Sequence, residues 1–144
     1  MMKGGALAIL LAAMVAALAA AACGGSSSGV APREQQVTAV LTEWSVTLST
    51  ATAQAGRVTF NSSNSGTVSH KLMVLKTDRP IDRLEVRDGR VDEAASGTLV
   101  GEVPEFAPNE KPSRTFELPA GKYVLFCNVL RHYEQGMSAA LTVQ

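Results

Sequence analysis

Histidine and cysteine are scarce in this chain, with two of each in 144 residues, and it has a single tryptophan. Two histidines exclude an enzyme that assembles several histidine-rich metal centres, unless other chains supply ligands. The 13 basic and 13 acidic side chains cancel, so the charge balance points to no nucleic acid or other polyanion as partner. Of the two cysteines, Cys23 closes an apolar N-terminal run, leaving Cys127 alone downstream and without a partner for an internal disulfide. No internal repeat is present. Hydrophobic residues make up 46% of the chain, a share inflated by the Ala-rich start but too high for a wholly disordered chain.

Residues 1–22 carry one charge, Lys3, ahead of an unbroken small and apolar run through Leu7, Leu11, Val15 and Leu18. This is the composition of a signal peptide. Ala20-Ala21-Ala22-Cys23 resembles a bacterial lipoprotein cleavage box, in which a lipidated cysteine becomes the new N-terminus. The run is also long enough to stay as an uncleaved membrane anchor. Either way the domain is expected outside the cytoplasm, at the outer face of the cytoplasmic membrane or in the periplasm. The segment 23–35, with Gly24-Gly25-Ser26-Ser27-Ser28-Gly29, reads as a flexible tether, and residues 36–144 as one domain.

Within that domain, apolar residues recur at strand period between Gly, Pro and Asn turns. Trp44, Val46 and Leu48 alternate with polar residues, as do Val58 and Phe60, Phe116 and Leu118, and Ala139, Leu141 and Val143. Trp44 is read as a core residue. Lys71 to Leu75 is apolar on both faces, as in a central strand, and Tyr123 to Cys127 is nearly so. Tyr123, after Pro119-Ala120-Gly121-Lys122, fits a tyrosine corner. The pattern predicts an all-β, antiparallel Greek-key sandwich of seven or eight strands. Residues 78–112 read as a long connection with a short helix near Val91 to Ala95. Its carboxylates Asp82, Glu85, Asp88, Asp92 and Glu93 lack calcium-loop spacing and alternate with arginines, giving a solvated, salt-bridged face.

The chemistry-bearing residues concentrate in the segment from Cys127 to Met137. Cys127 ends one strand, Met137 precedes the next, and His132 lies midway in the connecting loop. A hairpin can therefore turn all three toward one point. His70 opens another strand. If that strand pairs beside the one ending at Cys127, one thiolate, two imidazoles and one thioether meet. Two histidines and a cysteine with a weak axial methionine are the ligand pattern of electron-transfer copper sites. An exposed lone thiol oxidises outside the cytoplasm, which also favours ligation.

Over residues 36–144 the sequence resembles the cupredoxin, or type 1 blue copper, family. The resemblance rests on Asn64-Ser65-Gly66-Thr67-Val68-Ser69-His70 and on Tyr123-Val124-Leu125-Phe126-Cys127 leading into Cys-x4-His-x4-Met, the spacing of the longer-loop, auracyanin-like members. Where many relatives place Pro-Gly before the second histidine, this chain has Leu130-Arg131. The resemblance implies one copper ion (Cu2+/Cu+) held by His70, Cys127, His132 and Met137, and transfer of single electrons. Cys127 would bind as thiolate. His70 would bind through one ring nitrogen and donate the other N–H to a carbonyl. His132 would be the partly exposed ligand, where electrons leave and transient redox partners dock on Val129, Leu130, Tyr133 and Gly136. Met137 would be the axial thioether. Asn64 would shape the turn before His70, and Asn128 would bond back to that turn.

The expected function is thus a membrane-tethered electron carrier, not an enzyme, and a small carrier of this kind is expected to be monomeric. A copper carrier or store without a redox role is the alternative. A thiol hydrolase built on Cys127, His132 and Asn128 would leave His70 and Met137 unexplained. Zinc would call for a better fourth ligand than thioether.

Overall fold

The computed structural model describes residues 34–144. The expected signal peptide, Cys23 and the tether up to residue 33 lie outside the described residues. Strand β1 (Gln35–Thr42) starts the sandwich, one residue before the domain start read from the sequence. Val37, Ala39 and Leu41 alternate inward along it with no more than 1% exposure, the two-residue period that lets a strand bury one face.

Strand β2 (Ser45–Leu48) folds back antiparallel on β1. After the two-residue β3 (Thr52–Ala53), β4 (Gly56–Asn64) runs parallel to β1, with Val58 and Phe60 fully buried. The second sheet is centred on β5 (His70–Lys76). Two short strands, β6 (Val86–Arg87) and β7 (Arg90–Val91), form a ribbon whose turn, Asp88-Gly89, has positive φ at both residues. Helix α1 (Glu93–Ser96) follows, its first turn capped by Asp92, which accepts from the Ala95 N–H. Then come β8 (Thr98–Phe106), β9 (Ser113–Leu118), β10 (Gly121–Phe126) and β11 (Ser138–Val143).

The first sheet has the order β2-β1-β4-β9 and the second β3-β11-β10-β5-β8. Their inner faces share one core, including Leu41, Phe60, Leu72, Val74, Leu118, Leu125 and Leu141. The Tyr123 hydroxyl donates to the Pro119 carbonyl, closing the expected tyrosine corner. The fold is the all-β sandwich the sequence predicts, with three differences of detail, the first being that its two sheets hold nine strands where seven or eight are expected, because the two-residue β3 adds an edge and β8 arises within the expected connection. The sheets are mixed, since β1–β4 and β3–β11 pair in parallel. Residues 78–112 are also more than a connection, because β8 within them forms a nine-residue edge strand on β5.

The other part of that segment, together with Tyr133 from the β10–β11 connection, explains why β5 and β10 are apolar on both faces. Met73, Leu75, Val124 and Phe126 point away from the main core and are covered by Leu84, Val91 and Tyr133, forming a second cluster. Covering each such side chain contributes about 2 kcal/mol. Two of the five carboxylates of this segment pair with arginine as expected, Glu85 with Arg79 at 2.9 Å and Asp92 with Arg87 at 3.3 Å, while Glu93 accepts from the Asn128 side chain. Among the described residues no helix is long and apolar enough to cross a membrane.

Candidate metal centre

The antiparallel register of β10 with both β5 and β11 decides which side chains can meet. His70 begins β5, and Cys127 directly follows β10, so both stand at the same end of adjacent strands. The loop from Cys127 to Met137 is closed at its base, where the Cys127 N–H donates to the Met137 carbonyl at 3.0 Å. Inside the loop Arg131 takes a positive φ, and Tyr133–Gln135 form a 3-10 turn that ends at Gly136 with φ 106°. Glycine adopts that left-handed conformation without strain. This compact path brings His132 back over Cys127.

Three donor atoms converge as a result. Sγ of Cys127 lies 3.4 Å from Nδ1 of His132 and 3.8 Å from Nδ1 of His70, and the two Nδ1 atoms are 3.2 Å apart. All three residues are buried, and they form the one cluster of potential metal ligands among the described residues. The Lys71 backbone N–H also points at Sγ, at 3.4 Å. Met137 is wholly buried, and its N–H bonds to the His132 carbonyl at 3.3 Å. Its backbone is thereby tied to both Cys127 and His132.

Burial sets the protonation of the cluster. It lowers the pKa of His70, against the opposing pull of Glu43, and it lowers that of His132, with His70 adding to the effect. Both rings are therefore held neutral, with a lone pair to offer. Burial pushes the Cys127 thiol up, outweighing the Lys71 and Val129 backbone N–H groups that favour thiolate. Two facing ring nitrogens and a thiol share few protons among them. A cation bound among them, with the thiol deprotonated, could accept a lone pair from each.

The structure revises several roles expected for the surroundings. His132 is only 8% exposed, because the ring of Trp44 stands edge-on to it with centroids 5.0 Å apart. Trp44 is not in the core. It is 45% exposed because it sits in the β1–β2 turn, where strand alternation no longer applies. Tyr133 is buried as well, with its hydroxyl donating to Ile81 O and accepting from Leu84 N–H. Leu130, at 53% exposure, is the large apolar loop side chain that remains open to solvent.

Asn64 does what its position suggests. Its side chain donates to the Val68 and Phe106 carbonyls and accepts from the Gly66 N–H, fixing the turn that leads into His70. Asn128 does not reach that turn. It bonds instead to both backbone groups of Val91 and to Glu93, fastening the ligand loop to the β7–α1 segment. Nor is the outer nitrogen of His70 directed at a carbonyl. Oε1 of Glu43 lies 3.2 Å from His70 Nε2, though the pair lacks hydrogen-bond alignment, and Nε2 has no other partner. Glu43 escapes a sequence reading because it belongs to a distant hairpin turn and no motif marks it.

Neither protein-family models nor curated proteins match this chain. Solved structures do. Dithionite-reduced auracyanin from Roseiflexus castenholzii aligns over 77% of this chain and 96% of its own, at 18% identity and a TM-score of 0.54. Auracyanin A, a "blue" copper protein from Chloroflexus aurantiacus, aligns over 76% and 99%, at 22% identity and 0.51. Reduced rusticyanin aligns over 76% and 78%, at 16% identity and 0.50. At such identities the likeness is one of architecture. The described residues have the cupredoxin β-sandwich.

Proposed function

We propose that this chain is a type 1 copper protein that carries single electrons between redox partners and is not itself an enzyme. The observation that carries the proposal is the convergence of Nδ1 of His70, Sγ of Cys127 and Nδ1 of His132 at one end of a cupredoxin sandwich. The donor set fits copper. Thiolate with two imidazoles selects a borderline to soft ion, and Met137 would supply the weak thioether that distinguishes electron-transfer copper from zinc. Bound there, one copper ion would supply a one-electron Cu(II)/Cu(I) couple.

The protein's part is to hold the donors in place. The β10–β11 loop presents three of the four ligands, and β5 presents the fourth, all from one sheet. Two buried cores beneath them limit how far they can move between oxidation states. Low reorganisation is what fast electron exchange requires, and it suits a carrier better than a copper store. A redox partner would meet Trp44, which stands edge-on to His132 and is 45% exposed. The chain is also proposed to be exported and anchored by lipid on Cys23.

Titration of the purified chain with Cu(II), followed by optical and electron-paramagnetic-resonance spectra, tests the site. An intense thiolate-to-copper band with narrow copper hyperfine splitting, saturating at one equivalent, is expected. Cys127→Ser should abolish that band. A wild-type chain that stays colourless, or a serine variant that stays blue, would refute the ligand assignment.

A further inference from the structure

We infer that Glu43 is a positioning residue for the copper site, fixing the tautomer of His70 and lowering the reduction potential; the inference rests on the function proposed above. Glu43 reaches the site from the β1–β2 turn of the first sheet, whereas His70 opens β5 of the second sheet and Cys127, His132 and Met137 lie in the connection between its β10 and β11. Its Oε1 accepts from the Thr67 N–H at 2.9 Å and the Val68 N–H at 3.0 Å, and it stands 3.2 Å from Nε2 of fully buried His70. That nitrogen has no aligned hydrogen-bond partner in the protein, and the Glu43 carboxylate, at ion-pair distance, is the charged group that faces it.

Room for the carboxylate is built into the turn. A Cβ on Gly66 would lie 2.3 Å from Glu43 Oε1 and 2.7 Å from its Cδ, so only glycine lets the side chain lie against this backbone. Asn64 holds Gly66 in place by accepting its N–H. The spacing from Asn64 through Gly66 to His70 is thereby a receptor for one acidic side chain.

The chemical consequence follows from what each group can donate. A carboxylate only accepts, so the ring hydrogen of His70 is favoured on Nε2, facing Glu43. Nδ1 then faces Cys127 and His132 with a bare lone pair, ready for metal before any metal arrives. A carboxylate behind a ligating imidazole also makes it a stronger donor. Its negative charge, one ring away from the ion, favours the more positive oxidation state.

Two measurements test this. Nitrogen-15 NMR of the copper-free wild-type chain reads the tautomer directly, and it should show His70 protonated on Nε2 and bare at Nδ1. In the copper-loaded chain, Glu43→Gln keeps the shape and removes the charge. Its reduction potential should rise, so that the Cu(II)-to-Cu(I) ratio at a fixed applied potential falls roughly tenfold. A His70 hydrogen on Nδ1 in the wild type would overturn the inference, as would an unchanged potential in a Glu43→Gln variant that still turns blue. Failure of the wild type to turn blue would be a different result, overturning the copper assignment itself and with it any effect of Glu43 on potential.

Discussion

Replacing Asn128 with alanine should destabilise the copper-free chain by about 2–3 kcal/mol, because two buried backbone groups lose their partners. The Asn128 side chain accepts from Val91 N–H at 2.8 Å and donates to Val91 O at 3.1 Å and to Glu93 Oε1 at 2.6 Å. Val91 is 2% exposed and Asn128 is 7% exposed, so water cannot readily replace the amide. Each orphaned backbone group costs about 1 kcal/mol, and the bond to the Glu93 carboxylate, being partly exposed, adds a fraction of that. The Arg90 guanidinium still donates to the Asn128 carbonyl at 2.6 Å, since that contact involves backbone. Urea denaturation of wild type and variant under identical conditions measures the difference, with unchanged slope as the check on two-state behaviour. Asn128→Asp should cost more at neutral pH, since it places a second carboxylate against Glu93. A loss below about 0.5 kcal/mol for the alanine variant, the level of an ordinary surface substitution, would show that the ligand loop does not depend on this fastening.

Gly66→Ala should displace the Glu43 carboxylate, costing about 1 kcal/mol of stability because the lost contacts are at the end of a flexible side chain. It should also move the reduction potential in the same direction as Glu43→Gln, and cyclic voltammetry would reveal a discrepancy. Met137→Leu conserves volume and should change stability by less than about 1.5 kcal/mol, keep the thiolate-to-copper band and raise the potential; an unchanged potential would place the thioether away from the ion. Burial holds the Cys127 thiol protonated and both imidazoles neutral in the copper-free chain. Copper loading at neutral pH should therefore release about one proton per ion, measurable by calorimetry in buffers of different ionisation enthalpy, and release near zero would mean the thiol is already ionised.

The candidate ligands could be picked out in the sequence because their chemistry is rare and their order along the chain is informative. A cysteine, a histidine and a methionine spaced across one strand connection can converge without knowledge of distant contacts. The central strands β5 and β10 were legible for a related reason, since apolar residues on both faces demand cover from both sides. What covers them was not legible. The outer face is closed by Leu84 and Val91, from a charge-rich segment with no periodic pattern, and by Tyr133, from the connection between β10 and β11. Strand β8 was hidden by Gly101 and Pro104, residues that usually break strands. At this edge Gly101 is needed because the Phe116 ring occupies the space a Cβ would take. Glu43 and Trp44 lie in a hairpin turn of the opposite sheet, so their bearing on His70 and His132 exists only once the two sheets have packed.

Trp44 is the sole tryptophan of the chain, and its ring is in edge contact with His132. The protein thus carries its own fluorophore beside the proposed ion, with no competing indole elsewhere. Its emission should dim as an open-shell ion enters and respond differently when a closed-shell ion takes its place. Occupancy and oxidation state could then be followed in real time at micromolar concentration, where the visible band is faint. Because Trp44 is also 45% exposed as a residue, the same signal would register another protein settling over this end of the sandwich.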